Sequence, residues 1–459
     1  MTRKLPLLNA LLLFFSYFYI PSNVIMSRNI TKSLRKKPGI VLLFTAYVWM
    51  LSSCSSRVVL GDERFDVYLP LLEGKRVAIY SNPSGIVGDK VDGWCLGGGE
   101  EVTEASAGVP FGQPADPARP VVYGPHLLDV LIDKGVNVTA IFSPEHGFRG
   151  TADAGELVSS EVDPKTGVPI LSLYSAHSMM PDKADMDKFD LLLVDIQDVG
   201  LRYYTYYITL QHLMDACAVY GKQVVILDRP NPNGFYVDGP LLDMRYKSGI
   251  GSLPIAMVHG LTLGELALMM NGEGWLQDGR SCDLKVIPCQ HYTHSMHVTL
   301  ILPPSPNLKD MRSIYLYSST CFFEGTEVTA GRGTQWPFEI YGHPALDDRG
   351  FSFTPRSIPG AKHPRYQDEE CFGVDLRNKL LQEIWSEQVN LDYLSDALAH
   401  MPADSAFFMD NSHFEQLVGV PYVREMLLAR RPAAEIQDMW KADVARFREQ
   451  RRPYLLYPE

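Results

Sequence analysis

The stretch that decides the fold is Asn137-Val-Thr-Ala-Ile-Phe142-Ser-Pro-Glu145-His-Gly-Phe-Arg-Gly150. β-Branched and apolar residues lead up to Phe142, and a Ser-Pro pair then ends the run. An apolar run of this length is typical of a strand buried on both faces of a parallel sheet. Ligands of such sheets bind just beyond the carboxyl ends of the strands, so Glu145, His146 and Arg149 are candidate site residues. The alternative for this segment alone is a surface turn that carries a few charges.

Three further segments, 75–85, 190–200 and 223–234, repeat the pattern of an apolar run that ends in polar residues. Helical patterns at 126–134 and before Tyr220 alternate with these strands. The alternation predicts an α/β fold with a parallel sheet, in which the strand ends meet at one edge. One strand with a polar end is ordinary, whereas several that converge indicate a site. The residues at these ends are Asn82, Asp195, Asp198, Asp228, Arg229, Asn231 and Asn233.

The second half of the chain carries another dense group of aromatic, acidic and glycine residues. It spans 317–327 and 331–334 and includes Glu324, Glu327 and Arg332. We expect this group to face the first site across a cleft, with a tight turn that needs small residues as the alternative. Residues 381–459 are rich in helical patterns, and the amphipathic segment 433–450 indicates packing.

Two local patterns bear on structure rather than on chemistry. Thr262 and Glu265 have the spacing of a capping box, which predicts that a helix begins there. His291, His294 and His297 recur every third residue. Because the residues around them favour strand or loop, we expect surface histidines and not a ladder of metal ligands.

Composition narrows the function classes. The 459 residues are enough for two or three domains, and a net charge of −12 argues against nucleic acid as a partner. No cysteine or histidine group has zinc spacing, so we expect no metal site and no cofactor. Cys282 and Cys289 flank one short strand, which separates them too far for a disulfide, so we expect buried thiols.

The first 54 residues have the pattern of an export leader. Arg35-Lys-Lys37 precedes an apolar run at 40–51, and Leu51-Ser-Ser-Cys54 resembles the lipobox of bacterial lipoproteins. We therefore expect Cys54 to be lipidated, on a lipoprotein of the cell envelope that faces the periplasm or the surface. Ser55 favours the outer membrane, and Met26 is the expected start. The alternative is a membrane anchor built from the apolar runs 6–20 and 40–51.

Six blocks of the sequence form a familiar set: 143–150, 195–207, 228–234, 237–240, 323–327 and 331–334. Together they resemble the YbbC-like family, whose characterised members, named NamZ, are exo-acting β-N-acetylmuramidases. The resemblance covers about 65–459 and implies a Rossmann-like domain (65–288), a smaller C-terminal α/β domain (289–459) and a cleft between them. Residues 88–121 are a longer insertion than the family pattern.

The resemblance aligns Glu145 with the glutamate proposed as catalytic, and a glycosidase needs such a carboxylic acid to protonate the leaving oxygen. Apolar neighbours such as Phe142 and Phe148 would raise its pKa. The second catalytic group stays open among Asp198, Asp195, Glu324 and the acetamide of the substrate. The expected substrate-binding residues are Asn82, His146, Arg149, Asp195, Arg202, Tyr203, Tyr204, Arg229, Asn231, Asn233, Glu327 and Arg332. Among them, Arg149, Arg202 or Arg229 would bind a lactate carboxylate. Tyr203 and Tyr204 would stack on sugar rings.

The implied function is an exo-acting glycoside hydrolase that releases N-acetylmuramic acid from the non-reducing end of peptidoglycan fragments. One alternative is a non-catalytic lipoprotein that binds cell-wall glycan fragments for uptake. A wall esterase or amidase is disfavoured because the sequence has no G-x-S-x-G elbow.

Overall fold

Short apolar runs pair side by side in this chain because strands of five or six residues bury both faces only within a sheet. The structure is a computed structural model that describes residues 57–92, 99, 101–114, 116, 118–144, 148, 161–173 and 180–459. In chain order the strands are β1 (Val77–Ser81), β2 (Val91–Asp92), β3 (Val122–Tyr123), β4 (Val138–Ser143), β5 (Glu161–Val162), β6 (Pro169–Ser172), β7 (Leu191–Asp195), β8 (Gln223–Leu227), β9 (Asp238–Leu241), β10 (Ala256–Val258), β11 (Asp283–Ile287), β12 (Ile340–His343), β13 (Ser352–Phe353) and β14 (Cys371–Asp375).

The α-helices are also numbered in chain order. They are α1 (Phe65–Leu72), α2 (Glu104–Ala107), α3 (Leu127–Asp133), α4 (Lys183–Met186), α5 (Tyr206–Tyr220), α6 (Leu263–Gly272), α7 (Met311–Thr320), α8 (Leu381–Glu387), α9 (Asp392–His400), α10 (His413–Val418), α11 (Tyr422–Leu428), α12 (Ala433–Asp438) and α13 (Lys441–Arg451). Among the residues that the structure describes, no helix combines the length and the apolar character needed to cross a membrane.

The main sheet has the strand order β11-β8-β7-β1-β4-β6-β5. In the described part of the chain, six of these strands are parallel and the short edge strand β5 is antiparallel. Numbered along the chain, the parallel strands lie in the order 3-2-1-4-5-6, which is that of the Rossmann fold. The direction of the sheet order reverses between β1 and β7, where Ser81 pairs with Asp195. The predicted Rossmann-like sheet is confirmed.

The C-terminal part of the chain is smaller and packs on the first. It contains the antiparallel sheet β12-β14-β13 and the helices from α7 onward. One hydrophobic core runs through both parts, and residues 57–459 form one compact unit. The predicted boundary at residues 288 and 289 therefore stays a prediction. Where the structure describes the segment 88–121, that segment contacts the C-terminal part, because Val102 N donates to His297 O at 2.8 Å and Phe111 N to Lys309 O at 2.8 Å.

Two local signals of the sequence, a helix start and a packing segment, are confirmed by the structure. Thr262 caps α6, since Thr262 Oγ1 accepts from Glu265 N at 3.2 Å and Glu265 Oε2 accepts from Thr262 N at 2.9 Å. The amphipathic segment 433–450 forms α12 and α13, and Trp440 lies between them. Trp440 is buried and its Nε1 donates to Asp238 Oδ1 at 2.8 Å, so the segment packs on the first part of the chain, as expected.

The structure also shows the environments of the spaced histidines and of the cysteines. Of the three spaced histidines, His291 is exposed, His294 is buried 3.0 Å from Glu265 Oε1, and His297 stacks on Trp385 at 3.8 Å. The expectation of three surface histidines is therefore wrong for His294, which pairs with a carboxylate from α6. The cysteines of the described part are buried free thiols, as expected; they are Cys217, Cys282, Cys289, Cys321 and Cys371.

Candidate active site at the carboxyl edge of the sheet

The loops that follow β1, β7 and β8 are bonded to one another at the carboxyl edge. Asn82 Oδ1 accepts from Ser84 N at 2.9 Å, and Ser84 Oγ accepts from Gln197 N at 3.0 Å. The Gln197 side chain then donates to Pro230 O at 2.8 Å. These bonds join three strand ends into one floor. Gln197 was missed by the sequence reasoning, although it lies within the quoted block 195–207.

The turn after β1 passes close to the neighbouring strands, and only a glycine fits there. A Cβ on Gly85 would lie 2.4 Å from Ser81 Oγ, 2.9 Å from His126 Nε2 and 3.1 Å from Asp195 Oδ2. His126 caps α3 and its Nε2 lies 2.9 Å from Asn82 O. The ring of Phe148 packs edge-on against His126, with 4.9 Å between the ring centroids.

The predicted catalytic segment begins at this edge. β4 lies between β1 and β6 and ends at Ser143, and Pro144 is the last described residue before Glu145. Glu145, His146 and Arg149 lie outside the described residues, as does Cys54. Their roles stay predictions. The apolar neighbours named for Glu145 are both buried, since Phe142 and Phe148 have almost no exposed surface.

Asp198 is a buried carboxyl group just beyond β7. Its side chain is 6% exposed, and its Oδ1 accepts from Gly200 N at 2.6 Å. Its Oδ2 has no hydrogen-bond partner within the part of the chain that the structure describes. Burial raises the pKa of Asp198 to about 7. A carboxyl group with such a pKa can hold and release a proton at neutral pH, which keeps Asp198 a candidate for the second catalytic group.

Arg229 lies in a buried ion cluster at the end of β8. Its Nε donates to Asp195 Oδ1 at 2.7 Å, its Nη2 to Asp62 Oδ2 at 2.8 Å and its Nη1 to Asp89 Oδ1 at 2.8 Å. A guanidinium that is buried and held by three carboxylates stabilises the strand ends and leaves little surface open to a sugar carboxylate. The geometry therefore argues against the predicted ligand contacts of Arg229 and Asp195, and against Asp195 as a catalytic group.

Arg202 is also buried in the interior, at 0% exposure. It donates to backbone carbonyls at Pro240, Ile255, Leu417 and Val418, over 2.7–3.1 Å. The last two carbonyls belong to the C-terminal end of α10, where a cation is favourable. Gly419 permits this approach, because a Cβ there would lie 2.4 Å from Arg202 Nη2. Arg202 thus links the two parts of the chain, which argues against a lactate contact.

The predicted stacking tyrosines are buried too. Tyr203 donates its hydroxyl to Ser318 O at 3.0 Å, and Tyr204 donates to Pro304 O at 2.6 Å. Both rings have little exposed surface, so neither offers an open face to a sugar. The amides of Asn231 and Asn233 donate to Leu261 O and Val199 O, each at 2.9 Å, and brace the loops, so a role of either residue in binding substrate stays a prediction.

The predicted site residues in the second half of the chain are more exposed than the charged residues at the strand ends. Arg332 Nε donates to Glu324 Oε1, and the two side chains are 30% and 25% exposed. Tyr317 packs between Tyr203 and Phe338, with ring centroids 5.3 and 4.5 Å away, and the Arg332 guanidinium lies 5.1 Å from the Phe338 ring. This chain of contacts connects the Glu324–Arg332 pair to the loop after β7.

Glu327 lies further along the same loop. Its carboxylate is 37% exposed and lies 3.4 Å from Arg365 Nη1. No motif marks Arg365 in the sequence, and its role as a partner becomes visible only in the fold. Asp62 and Asp89 were missed for the same reason, since nothing near them in the sequence indicates that they surround Arg229.

Two family models match the chain. The model described as "Exo-beta-N-acetylmuramidase NamZ, N-terminal" matches residues 118–312, and the one described as "Exo-beta-N-acetylmuramidase NamZ, C-terminal" matches residues 315–457. The chain is similar to the peptidoglycan β-N-acetylmuramidase NamZ of Bacillus subtilis (strain 168). The two are 33% identical over 348 residues, which cover 72% of this chain and 82% of that protein.

Two crystal structures of DUF1343 family proteins from Bacteroides fragilis NCTC 9343 have similar folds. One is 51% identical, with a TM-score of 0.75, and the match covers 88% of this chain and 100% of the other. The second is 26% identical, with a TM-score of 0.64, and the match covers 87% of this chain and 99% of the other.

Proposed function

Because the chain belongs to the NamZ family of exo-β-N-acetylmuramidases, we propose that it is a glycoside hydrolase that releases N-acetylmuramic acid from the non-reducing end of peptidoglycan fragments. The main support for this proposal is that both family models match the chain, and that the match to the Bacillus protein covers most of both chains. The bonded floor at the carboxyl edge supports it, because that edge is where a Rossmann-like sheet binds its ligand.

We assign the general acid to Glu145. The support is the position of the chain directly before it, since β4 ends at Ser143 beside the loop that carries Asn82. A general acid protonates the glycosidic oxygen as the bond to the anomeric carbon breaks. The second group is Asp198, Glu324 or the acetamide oxygen of the sugar itself. Asp198 is the more buried of the two carboxylates, and Glu324 the more accessible.

The lactate carboxylate of the substrate is bound by a cationic side chain that is accessible to solvent. Of the arginines assigned to the site and described by the structure, Arg332 is 30% exposed, whereas Arg202 and Arg229 are buried and bonded to acceptors of the protein itself. We therefore propose Arg332, together with Arg149, as the group that distinguishes a muramyl from a glucosaminyl end. Its bond to Glu324 would weaken as the lactate carboxylate joins the pair.

Turnover of chromogenic monosaccharides tests the activity. The protein should release chromophore from a β-N-acetylmuramide and not from the matching β-N-acetylglucosaminide. Glu145→Gln should lower turnover of a poor leaving group by about 10²–10⁴-fold and that of a nitrophenolate by less. Glu435→Gln, at an exposed position of α12, serves as the matched control. Tight binding of the muramide without turnover by the folded protein would favour the uptake alternative.

We also propose that the mature protein is a lipoprotein anchored through Cys54. The support is the Leu51-Ser-Ser-Cys54 sequence after a basic and apolar leader. Cys54→Ala should move the protein from the membrane fraction to the soluble envelope fraction. Retention of the variant on the membrane would favour an anchor built from the apolar runs.

A further inference from the structure

A depression of about 360 Å³ lies on the α5 side of the sheet, and none of the predicted site residues lines it. α5 contributes Gln211, His212 and Asp215, and the loop after α6 contributes Trp275 and Gln277. These α5 residues lie about 8–14 Å along the helix from Tyr206, away from the carboxyl edge. The volume is at the lower end of the range for small-molecule sites.

The floor of the depression is built before any ligand arrives. Gln211 Nε2 donates to Trp275 O at 3.1 Å, and its Oε1 accepts from Ser252 Oγ at 2.7 Å. Asp215 Oδ1 accepts from Gln277 N at 2.7 Å. These bonds fix the loop that carries Trp275 against α5. A fixed loop loses little conformational freedom when a ligand binds to it.

The walls offer an aromatic face, neutral polar groups and one cation. Trp275 is half-buried and packs against the hydrophobic core, which leaves part of the indole open. Burial lowers the pKa of His212, so its imidazole is neutral at pH 7. Lys247 is exposed at the rim and takes part in no ion pair among the described residues. The Asp215 carboxylate, in contrast, is buried.

This set of groups matches a sugar ring that carries both an acetamide and a carboxylate. The apolar face of a pyranose packs on an indole, and neutral amide and imidazole groups bond to hydroxyl and acetamide oxygens. A free ammonium at the rim attracts a carboxylate. We propose that the depression is a second, non-catalytic site that binds an N-acetylmuramyl residue within a glycan strand and holds the strand during cleavage of its end. The ligand class rests on the proposed function, whereas the site itself does not.

Binding to insoluble peptide-free muramyl glycan and to chitin separates the contribution of the Trp275 ring from that of the Lys247 ammonium group. Trp275→Ala should weaken co-sedimentation with both polymers by about tenfold, the effect of losing one buried aromatic contact. Lys247→Ala should weaken binding to the muramyl glycan alone, because chitin has no lactate. Trp336→Ala, at a partly exposed tryptophan elsewhere, and Lys441→Ala, at an exposed lysine on α13, are the matched controls.

Turnover of a small chromogenic muramide shows whether the variants affect the catalytic site. It should be unchanged in both Trp275→Ala and Lys247→Ala. Wild-type binding by both variants, or equal losses in the controls, would overturn the second site. Equal loss on chitin and muramyl glycan in Lys247→Ala would overturn the carboxylate contact. A wild-type protein that binds both polymers through Trp275 but hydrolyses no muramide would refute the proposed function and not this site.

Discussion

Replacing Asp198 with asparagine should shift the free energy of unfolding, relative to that of the wild type, in favour of the variant as the pH rises. Burial raises the carboxyl pKa from the usual 3.8 to about 7, so the native state binds this proton more tightly than the unfolded chain does. The free energy of unfolding of the wild type then falls as the pH rises from about 4 to 7, because the unfolded chain releases the proton over this range while the native state still holds it. Asparagine cannot ionise, and its own cost of burial is the same at every pH.

The size of the effect follows from the two pKa values. Each pH unit between them changes the free energy of unfolding by up to about 1.4 kcal/mol. Integration between pH 5 and pH 8 gives a change of about 2.5 kcal/mol in the difference between variant and wild type. That is a large share of the stability of an ordinary domain.

Urea unfolding followed by tryptophan fluorescence at pH 5, 6, 7 and 8 measures this difference. Asp190→Asn is the matched control, because Asp190 is 42% exposed and its hydrogen bond with Arg76 lowers its pKa to about 2. The control difference should be flat over this range. A flat difference for Asp198→Asn as well would refute the reasoning, since it would mean that the Asp198 carboxylate is solvated or paired in the native state.

Three further variants test the structural roles of buried polar groups. Arg229→Ala leaves the buried carboxylates of Asp62 and Asp195 without their cation and should lower the free energy of unfolding by about 3–5 kcal/mol; a loss below 1 kcal/mol in urea unfolding would contradict this. Arg202→Ala should lower the melting temperature while leaving the KM ratio of muramide to glucosaminide ligands unchanged, and a selective rise in the muramide KM would restore its predicted lactate contact. Tyr457→Phe removes the hydroxyl that lies 2.6 Å from Asp228 Oδ2 and 2.9 Å from Cys289 N. It should lower the free energy of unfolding in urea by about 1–3 kcal/mol. An unchanged midpoint would show that this hydroxyl does not hold the C-terminal tail.

The sheet was predictable because its signals are local. The central parallel strands are short apolar runs bounded by turn residues, and the capping pair of Thr262 and Glu265 is three residues apart. The convergence of strand ends follows from parallel pairing alone. The order of the strands needed the structure or the family resemblance, because runs of similar composition do not specify their neighbours.

The partners of the charged residues were not predictable, because they come from distant parts of the chain. Arg229 meets Asp62 and Asp89 across more than a hundred residues, and Arg202 meets carbonyls at the end of α10. In the sequence each of these arginines looks like a free cation at a strand end. Only the tertiary contacts show that these guanidinium groups are buried and already bonded within the protein, which moves the lactate contact to Arg332 in the proposed function.

Product analysis of a defined glycan shows directly whether the protein releases N-acetylmuramic acid from the non-reducing end. A peptide-free strand with a muramyl residue at its non-reducing end should yield free N-acetylmuramic acid as the first product. A matched strand that begins with N-acetylglucosamine should stay intact. Internal cleavage into oligosaccharides, or equal attack on both strands, would contradict the account.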